Sequence, residues 1–216
     1  ENSGALLSDV VSDELAGNTV AVLSGPTFAP EVARGLPAAV TLACANAQVG
    51  QELIEALGSP TFRPYLAADI VGAQVGGSVK NVLAIACGIV AGRRLGDNAR
   101  AALVTRGLAE IQRLGRVLGA QSATLMGLSG LGDLVLTCTS EQSRNFSLGV
   151  ALGRGQSATD VLASRTSVAE GVATAGAVVT LAARLGIEMP ISAAVDSIVN
   201  RGAAIDEVVT SLLARP

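Results

Sequence analysis

The 216-residue sequence predicts a mainly α-helical fold that follows a short α/β segment. Up to about residue 66, short β-type runs alternate with turn residues, and one helical run lies between them. From about Asp69 onward, apolar residues recur with the 3.6-residue spacing of helices. Aromatic residues make up 2% of the chain although half of it is apolar. The core of the helical part therefore has to be built from Ala, Val, Leu and Ile on closely approaching backbones.

Three strands and one helix are predicted in the first 68 residues. The strands cover residues 18–23, 38–43 and 62–66, and the first is ended by Ser24-Gly25-Pro26. Residues 48–57 have helical spacing of their apolar residues, which are Val49, Leu53, Ile54 and Leu57. This order is typical of the end of an α/β unit, but about sixty residues are too few to close one. We expect this part to be incomplete.

Helices are predicted throughout residues 69–216. One broad apolar face runs through residues 101–118, and further helices are indicated over 168–185, 192–199 and 205–213. We expect seven or eight helices here. The predicted domains are therefore residues 1–68, the C-terminal part of an α/β domain, and residues 69–216, an all-helical domain.

Composition excludes several classes of function. Fifteen basic and 18 acidic residues give a formal charge of −3, which argues against nucleic acid as a partner. The chain has no His, which excludes Ser-His and Cys-His catalytic pairs and His-ligated metal sites, and we expect no metal. Cys44, Cys87 and Cys138 are far apart in the sequence and are expected to be reduced thiols of a cytoplasmic protein.

The most apolar stretch, residues 71–92, raises the question of a membrane span. It contains Gln74, Lys80 and Asn81 and five glycines, and Arg93-Arg94 follow it, so we expect no membrane-spanning helix. The chain begins without Met, a basic region or an apolar segment, so no signal peptide is expected. We expect this start to be a cut through a longer chain.

Lys80 is the only lysine of the protein. It lies in an apolar, Gly-rich run, where partial desolvation would favour its neutral amine and suit it to general acid or base work. The alternative is that a chain rich in Arg simply avoids Lys, and that this one extends to the surface. The residues alone leave both interpretations open.

A second cluster combines glycines with polar residues. Gly127 to Asp133 permits tight turns and close backbone approach, and Asp133 needs a partner if it is buried. Ser143, Arg144 and Asn145 precede a short helical run, where side chains and a helix N-terminus can converge on a phosphate or carboxylate. The alternative interpretation is an N-cap followed by a solvated Arg.

With these segments in view, the chain closely resembles bacterial NAD(P)-dependent glycerol-3-phosphate dehydrogenases. The matching blocks occur in family order and span nearly the whole chain, and their combination is highly specific. They are residues 24–29 with 31–33, 76–82, 96–103, 105–110, 127–139, 143–145, 170–171 and 188–191.

The resemblance implies a fold of two parts. Members of the family begin with an NAD(P)-binding Rossmann domain and end with a helical domain like that of 6-phosphogluconate dehydrogenases. The glycine loop, most of the Rossmann sheet and a substrate-binding lysine have no counterpart in residues 1–216. We therefore expect the last part of the Rossmann domain followed by the complete helical domain. We also expect this fragment alone to bind NAD(P)H weakly and to show little or no dehydrogenase activity.

The resemblance also implies roles for individual residues. Lys80 matches the catalytic proton donor and acceptor, with Asn81 beside it. Substrate-binding positions are matched by Gly25, Thr27, Lys80, Asn81, Asp133, Thr137, Ser143, Arg144 and Asn145. Positions that touch the NAD or NADP cofactor are matched by Ala29, Arg144, Val168 and Glu170.

The implied reaction is reversible hydride transfer between NAD(P)H and dihydroxyacetone phosphate, giving sn-glycerol 3-phosphate for phospholipid synthesis. Lys80 would exchange the proton, Asp133 and Asn81 would hold its ammonium, and residues 143–145 would grip the substrate phosphate. No step requires His, and a homodimer is left open. One competing interpretation is a related β-hydroxyacid dehydrogenase with a carboxylate substrate. Another is an isolated helical module that binds a phosphorylated ligand or only oligomerises.

Overall fold

A computed structural model of the chain describes residues 4–164 and 169–215. Its contacts divide the chain into two compact units. The mixed unit comprises Ala5–Gly77 and Ile111–Leu136. The helical unit comprises Gly4, Ser78–Glu110 and the residues from Thr137 onward.

The mixed unit contains a three-stranded sheet and several short helices. Its first elements are α1 (Leu7–Glu14), β1 (Ala21–Ser24), α2 (Ala29–Ala33), β2 (Ala38–Cys44), α3 (Ala47–Leu57) and β3 (Phe62–Ala67). The strand order is β1-β2-β3. Strand β1 runs antiparallel to β2, with Leu23 opposite Leu42, and β2 runs parallel to β3, with Val40 opposite Pro64.

The predicted strands and helix of this unit are confirmed, with one change at the first strand. Strand β1 is limited to Ala21–Ser24, whereas the sequence predicted residues 18–23. Helix α3 begins one residue before the predicted start, because the Asn46 side chain caps it by accepting hydrogen bonds from the backbone N–H groups of Gln48 and Val49. Strand β2 is the buried centre of the sheet, with Val40 and Leu42 at most 2% exposed.

The rest of the chain is helical. The helices are α4 (Ile70–Gly92), α5 (Asp97–Val117), α6 (Ser122–Met126), α7 (Asp133–Thr139), α8 (Arg144–Gly153), α9 (Ala158–Ser164), α10 (Gly171–Leu185), α11 (Pro190–Arg201) and α12 (Ile205–Leu213), with a π-helical turn over Leu128–Gly132. Within the described ranges, this part has nine α-helices where seven or eight were predicted. The excess comes from segments such as α6 and α9, which are too short to show a clear period.

Helices α4 and α8 of the helical unit pack backbone to backbone through glycines. A Cβ atom added to Gly88 would lie 2.9 Å from the Cα of Gly149 and would overlap the carbonyl oxygen of Phe146. A Cβ added to Gly92 would lie 2.9 Å from the Cα of Gly153. The backbone approach that the composition predicted is therefore present, and it fixes the distance between the two helices that carry Lys80 and Arg144.

Among the described residues, α4 is the one helix that is long and apolar enough to cross a membrane by length and composition. Of its most apolar window, 67% is buried inside the protein. The core helix of a soluble protein passes the same test, so this helix is weak evidence for a membrane span.

A buried carboxylate anchors the N-terminus of α11. Glu110 on α5 is 2% exposed and accepts hydrogen bonds from Ile191 N (2.5 Å), Ser192 N (3.1 Å) and Ser192 Oγ (2.8 Å). These backbone N–H groups belong to the first helical turn, where no intrahelical acceptor exists. The carboxylate also complements the positive end of the helix dipole.

Replacing Glu110 by Ala is therefore expected to destabilise the protein. The free energy of unfolding should fall by about 3 kcal/mol, because buried donors lose their acceptor and a cavity is left behind. Urea unfolding of the variant measures this loss. Glu52→Ala, which removes an exposed carboxylate on α3, is the matched control and should change stability by less than about 0.5 kcal/mol. Equal losses in the two variants would contradict the anchoring role of Glu110.

Candidate functional site

In the mixed unit, the loop after β1 lies against glycine-rich segments. Gly25 is buried, and a Cβ there would lie 2.9 Å from the Cα of Val40, so only glycine fits. A Cβ on Gly77 would lie 2.9 Å from Ser24 Oγ, and one on Gly132 would lie 3.6 Å from Pro26 Cγ. The blocks 24–26, 76–77 and 127–132 therefore meet in this unit.

Three more of the predicted site residues belong to the mixed unit, and they differ in exposure. Thr27 is half-buried, and its hydroxyl donates to the Gly25 carbonyl oxygen at 3.4 Å. Ala29 is exposed at the first position of α2. Asp133 is the first residue of α7 and is 2% exposed, so the condition under which its carboxylate needs a partner is met.

In the helical unit, the structure connects α4, α8 and the start of α10 through one amide. Asn145, the second residue of α8, is 3% exposed. Its Nδ2 donates to Asn81 Oδ1 on α4 at 3.0 Å, and its Oδ1 accepts from the backbone N–H of Gly171 at 2.9 Å. Lys80 is half-buried and directly precedes Asn81 on α4. Segments that are far apart in the sequence thus meet beside the only lysine.

Gly171 makes this close approach possible. A Cβ at this position would lie 2.6 Å from the backbone oxygen of Asn81 and 2.9 Å from Asn145 Oδ1. Any side chain at position 171 would push α10 away from α4 and break the hydrogen bond to Asn145. Glycine is therefore required here by space.

Ser143 and Arg144 have separate surroundings. Ser143 is the N-cap of α8, and its hydroxyl oxygen accepts from the backbone N–H of Phe146 at 3.2 Å. This confirms the N-cap interpretation for Ser143. Arg144 is about half exposed, and its guanidinium forms an ion pair with Glu170, which is exposed to a similar degree. Arg144 is therefore not a simply solvated residue.

The remaining predicted positions are Thr137 and Val168. Thr137 lies on α7, four residues after Asp133, and is 5% exposed. Val168 lies outside the described residues. Cys44, Cys87 and Cys138 are free, as predicted, and all three are buried.

A second hydrogen-bonded anchor at the start of α10 was not predicted from the sequence. Asn200 Nδ2 on α11 donates to the carbonyl oxygen of Val172 at 3.0 Å and to Asp196 Oδ1 at 2.8 Å. Asp196 is 3% exposed, and its Oδ2 accepts from Arg201 Nε at 2.9 Å. The i, i+4 spacing of Asp196 and Asn200 on one helix face was the available signal.

Comparison with known proteins shows the family to which this chain belongs. The family described as "NAD-dependent glycerol-3-phosphate dehydrogenase C-terminus" matches residues 69–210, and its "N-terminus" counterpart matches residues 1–50. The chain belongs to the NAD-dependent glycerol-3-phosphate dehydrogenase family. The resemblance inferred from the sequence blocks and the fold class that it implied are thereby confirmed.

Individual members of this glycerol-3-phosphate dehydrogenase family are closely similar in sequence to this chain. A relative named glycerol-3-phosphate dehydrogenase [NAD(P)+] from Rhodospirillum rubrum is 62% identical over 216 residues, covering 100% of this chain and 62% of the relative. One from Parvibaculum lavamentivorans is 57% identical and 65% covered. The chain thus spans less than two thirds of the length of these relatives.

A solved structure shows the same architecture. The crystal structure of glycerol-3-phosphate dehydrogenase from Coxiella burnetii is 46% identical, with a TM-score of 0.95 over 99% of this chain and 66% of that one. The yeast enzyme from Saccharomyces cerevisiae is 27% identical, with a TM-score of 0.83 over 94% of this chain.

Proposed function

We propose that this chain is the substrate-binding and proton-transfer part of a glycerol-3-phosphate dehydrogenase. The reaction is the reversible reduction of dihydroxyacetone phosphate by NAD(P)H to sn-glycerol 3-phosphate, which serves phospholipid synthesis in the cytoplasm. The observation that carries this proposal is the position of Lys80. The only lysine of the chain is half-buried on α4, beside an Asn81 whose amide is held by Asn145. The similarity to enzymes named glycerol-3-phosphate dehydrogenase [NAD(P)+] supports the choice of reaction.

The proposal assigns residues 1–68 to the C-terminal part of the NAD(P)-binding domain and residues 69–216 to the helical substrate domain. Lys80 is the proposed catalytic residue. The substrate is assigned to positions in the loop after β1, on α4 and α7, and at the start of α8 with its N-cap. These positions are Gly25, Thr27, Lys80, Asn81, Asp133, Thr137, Ser143, Arg144 and Asn145. The dinucleotide is assigned to Ala29, Arg144, Val168 and Glu170.

The chemistry of Arg144 and Glu170 suits one part of a dinucleotide. Both side chains are about half exposed and form an ion pair, so a guanidinium and a carboxylate lie together at the surface. A guanidinium pairs with phosphate oxygens, and a carboxylate accepts from ribose hydroxyls. When bound, the nicotinamide dinucleotide supplies the hydride in reduction and accepts it in oxidation.

Lys80 donates and accepts the proton that is exchanged at the substrate oxygen. As hydride reaches the carbonyl carbon of dihydroxyacetone phosphate, negative charge develops on the carbonyl oxygen, and the Lys80 ammonium donates a proton to that oxygen. In the reverse direction, the neutral Lys80 amine accepts the proton of the hydroxyl while hydride leaves the carbon. Contacts to the substrate phosphate, remote from the reacting carbon, contribute to positioning the carbonyl.

The test uses the completed chain, defined as these 216 residues joined to the part of the Rhodospirillum rubrum relative that they do not span. We expect oxidation of NADH or NADPH that depends on dihydroxyacetone phosphate and forms sn-glycerol 3-phosphate. Small 2-oxo acids and 3-hydroxy acids are the comparison substrates, and faster turnover of any of them would support a β-hydroxyacid dehydrogenase instead. If the completed chain turns over none of these substrates, a binding or oligomerisation module gains support.

Two finer points belong to the same proposal. The 216 residues alone are expected to bind NAD(P)H weakly and to show little activity, which calorimetry and the same assay can measure. A homodimer stays open, and sedimentation of the completed chain decides it.

A further inference from the structure

One buried carboxylate of the mixed unit holds the starts of two helices. Asp69 directly precedes α4 and is 7% exposed. Its Oδ1 accepts from the backbone N–H of Gly72, in the first turn of α4, at 2.8 Å. Its Oδ2 accepts from the backbone N–H of Gln121, the residue before α6, at 2.8 Å. Asp69 is therefore an N-cap of α4 and also a bridge to a segment 52 residues later in the chain.

This bridge is the first of three contacts along one face of α4. A Cβ on Gly72, three residues after the bridge, would lie 3.0 Å from the Cβ of Thr124 on α6. A Cβ on Gly76, four residues further on, would overlap the backbone oxygen of Ser129. Positions three and four residues apart lie on the same face of a helix. The segment 121–129 therefore lies closely along the first turns of α4.

The segment that Asp69 holds leads directly to Asp133. Helix α6 is followed by the π-helical turn Leu128–Gly132, and Asp133 is the next residue. The backbone N–H of Asp133 donates to the carbonyl oxygens of Leu128 and Gly130 in that turn. Such π turns are rare and are frequently found at functional sites. The place of Asp133 thus depends on where the turn lies against α4.

We propose that Asp69 is a positioning residue for the proposed reaction, which holds the segment 121–132 against α4 and thereby fixes the place of Asp133. The inference rests on the proposed function, because that function assigns Asp133 to the substrate. Both carboxylate oxygens of Asp69 accept from backbone N–H groups, so Asp69 acts through Asp133.

The bridge explains why position 69 carries a carboxylate rather than another capping side chain. Ser or Asn would cap α4 about as well as Asp does. Only a carboxylate offers an acceptor oxygen to each of the two N–H groups, whereas Asn offers one oxygen and an NH2 group. Asp69→Asn therefore keeps the cap on Gly72 and removes the acceptor for Gln121, which separates the two roles of the side chain.

The first experiment measures amide hydrogen exchange in the completed chain with Asp69→Asn. Exchange at Gln121 should become about tenfold faster, because its N–H loses its acceptor, and exchange at Gly72 should stay unchanged. Exchange at Asp133 should become about fivefold faster, because the π turn is no longer held against α4. Faster exchange at Gln121 with unchanged exchange at Asp133 would limit Asp69 to capping and would overturn the proposal.

The second experiment is a double-mutant cycle, measured as kcat/KM for dihydroxyacetone phosphate at saturating NADH. Asp69→Asn should lower this constant about tenfold, because small displacements of a substrate-positioning group are costly. The Kd of NADH should change by less than about twofold, since no proposed dinucleotide position lies in the segment 121–132. In an Asp133→Asn background, Asp69→Asn should change kcat/KM by less than about twofold. A further tenfold loss in that background would show that Asp69 does not act through Asp133.

Asn46→Ala is the matched control for a purely structural effect. Asn46 also lies in the mixed unit and accepts from two backbone N–H groups, those of Gln48 at 3.0 Å and Val49 at 3.2 Å, but both belong to its own helix. Its removal should lower the midpoint of urea unfolding and leave kcat/KM within about twofold. A tenfold loss of kcat/KM in Asn46→Ala as well would show that lost stability alone lowers activity, and would overturn the positioning role.

The two measurements also separate this inference from the proposed function. If the unmodified completed chain turns over no dihydroxyacetone phosphate, the proposed function fails. The exchange of the Asp133 amide in Asp69→Asn still decides whether Asp69 fixes the place of Asp133.

Discussion

Replacing Lys80 by Ala in the completed chain is expected to lower kcat by about 10²- to 10⁴-fold, the range that a positioned general acid or base contributes. The chain has no His, and Lys80 is its only lysine, so few other side chains can exchange the proton. Binding of sn-glycerol 3-phosphate should survive in part, because the contacts to the phosphate come from other residues. Steady-state kinetics and calorimetry measure the two effects separately.

The control for this variant is Arg116→Ala, which removes the same charge from an exposed position on α5. Its kcat should stay within about twofold of the unmodified protein, because exposed surface charges act mainly on encounter rates. A Lys80→Ala variant with near-normal kcat would exclude Lys80 as the proton donor. It would also remove the observation on which the proposed function depends.

The sequence predicted the fold well wherever an element is long enough to show a period. Helix α12 (Ile205–Leu213) has the predicted bounds, and β2 and α3 differ from theirs by one residue. Helix α1 was not predicted, and it has no buried residue. The two compact units could not be predicted either, because their division falls within the helices α4, α5 and α7.

The sequence also identified residues for the site, but not their connections. Lys80 attracts notice as a single lysine in an apolar run, and Asn145 as part of a polar cluster at a helix start. The hydrogen bond from Gly171 to Asn145 joins residues 26 positions apart, and the one from Asn145 to Asn81 joins residues 64 positions apart. No local pattern encodes such contacts, because they depend on how closely α4, α8 and α10 approach one another.

That approach makes Gly149 a position where a single added methyl group should lower stability strongly. Gly149 lies in the interior of α8, and a Cβ there would lie 2.9 Å from the Cα of Gly88 and would overlap the carbonyl oxygen of Ile85. Backbone atoms cannot move aside as a flexible side chain can. Gly149→Ala is therefore expected to lower the free energy of unfolding by about 2–3 kcal/mol, although Ala is the better helix former.

Gly176→Ala is the matched control, because Gly176 also lies in a helix interior, on α10. A Cβ there would meet Asp196 Oδ1 at 3.4 Å, an ordinary van der Waals contact. The helix propensity of Ala should then raise the free energy of unfolding by about 0.5–1 kcal/mol. The two identical substitutions are thus expected to have opposite signs in urea unfolding. Stabilisation by both would contradict the packing of α4 against α8, and with it the spacing that holds Asn81 within hydrogen-bond distance of Asn145.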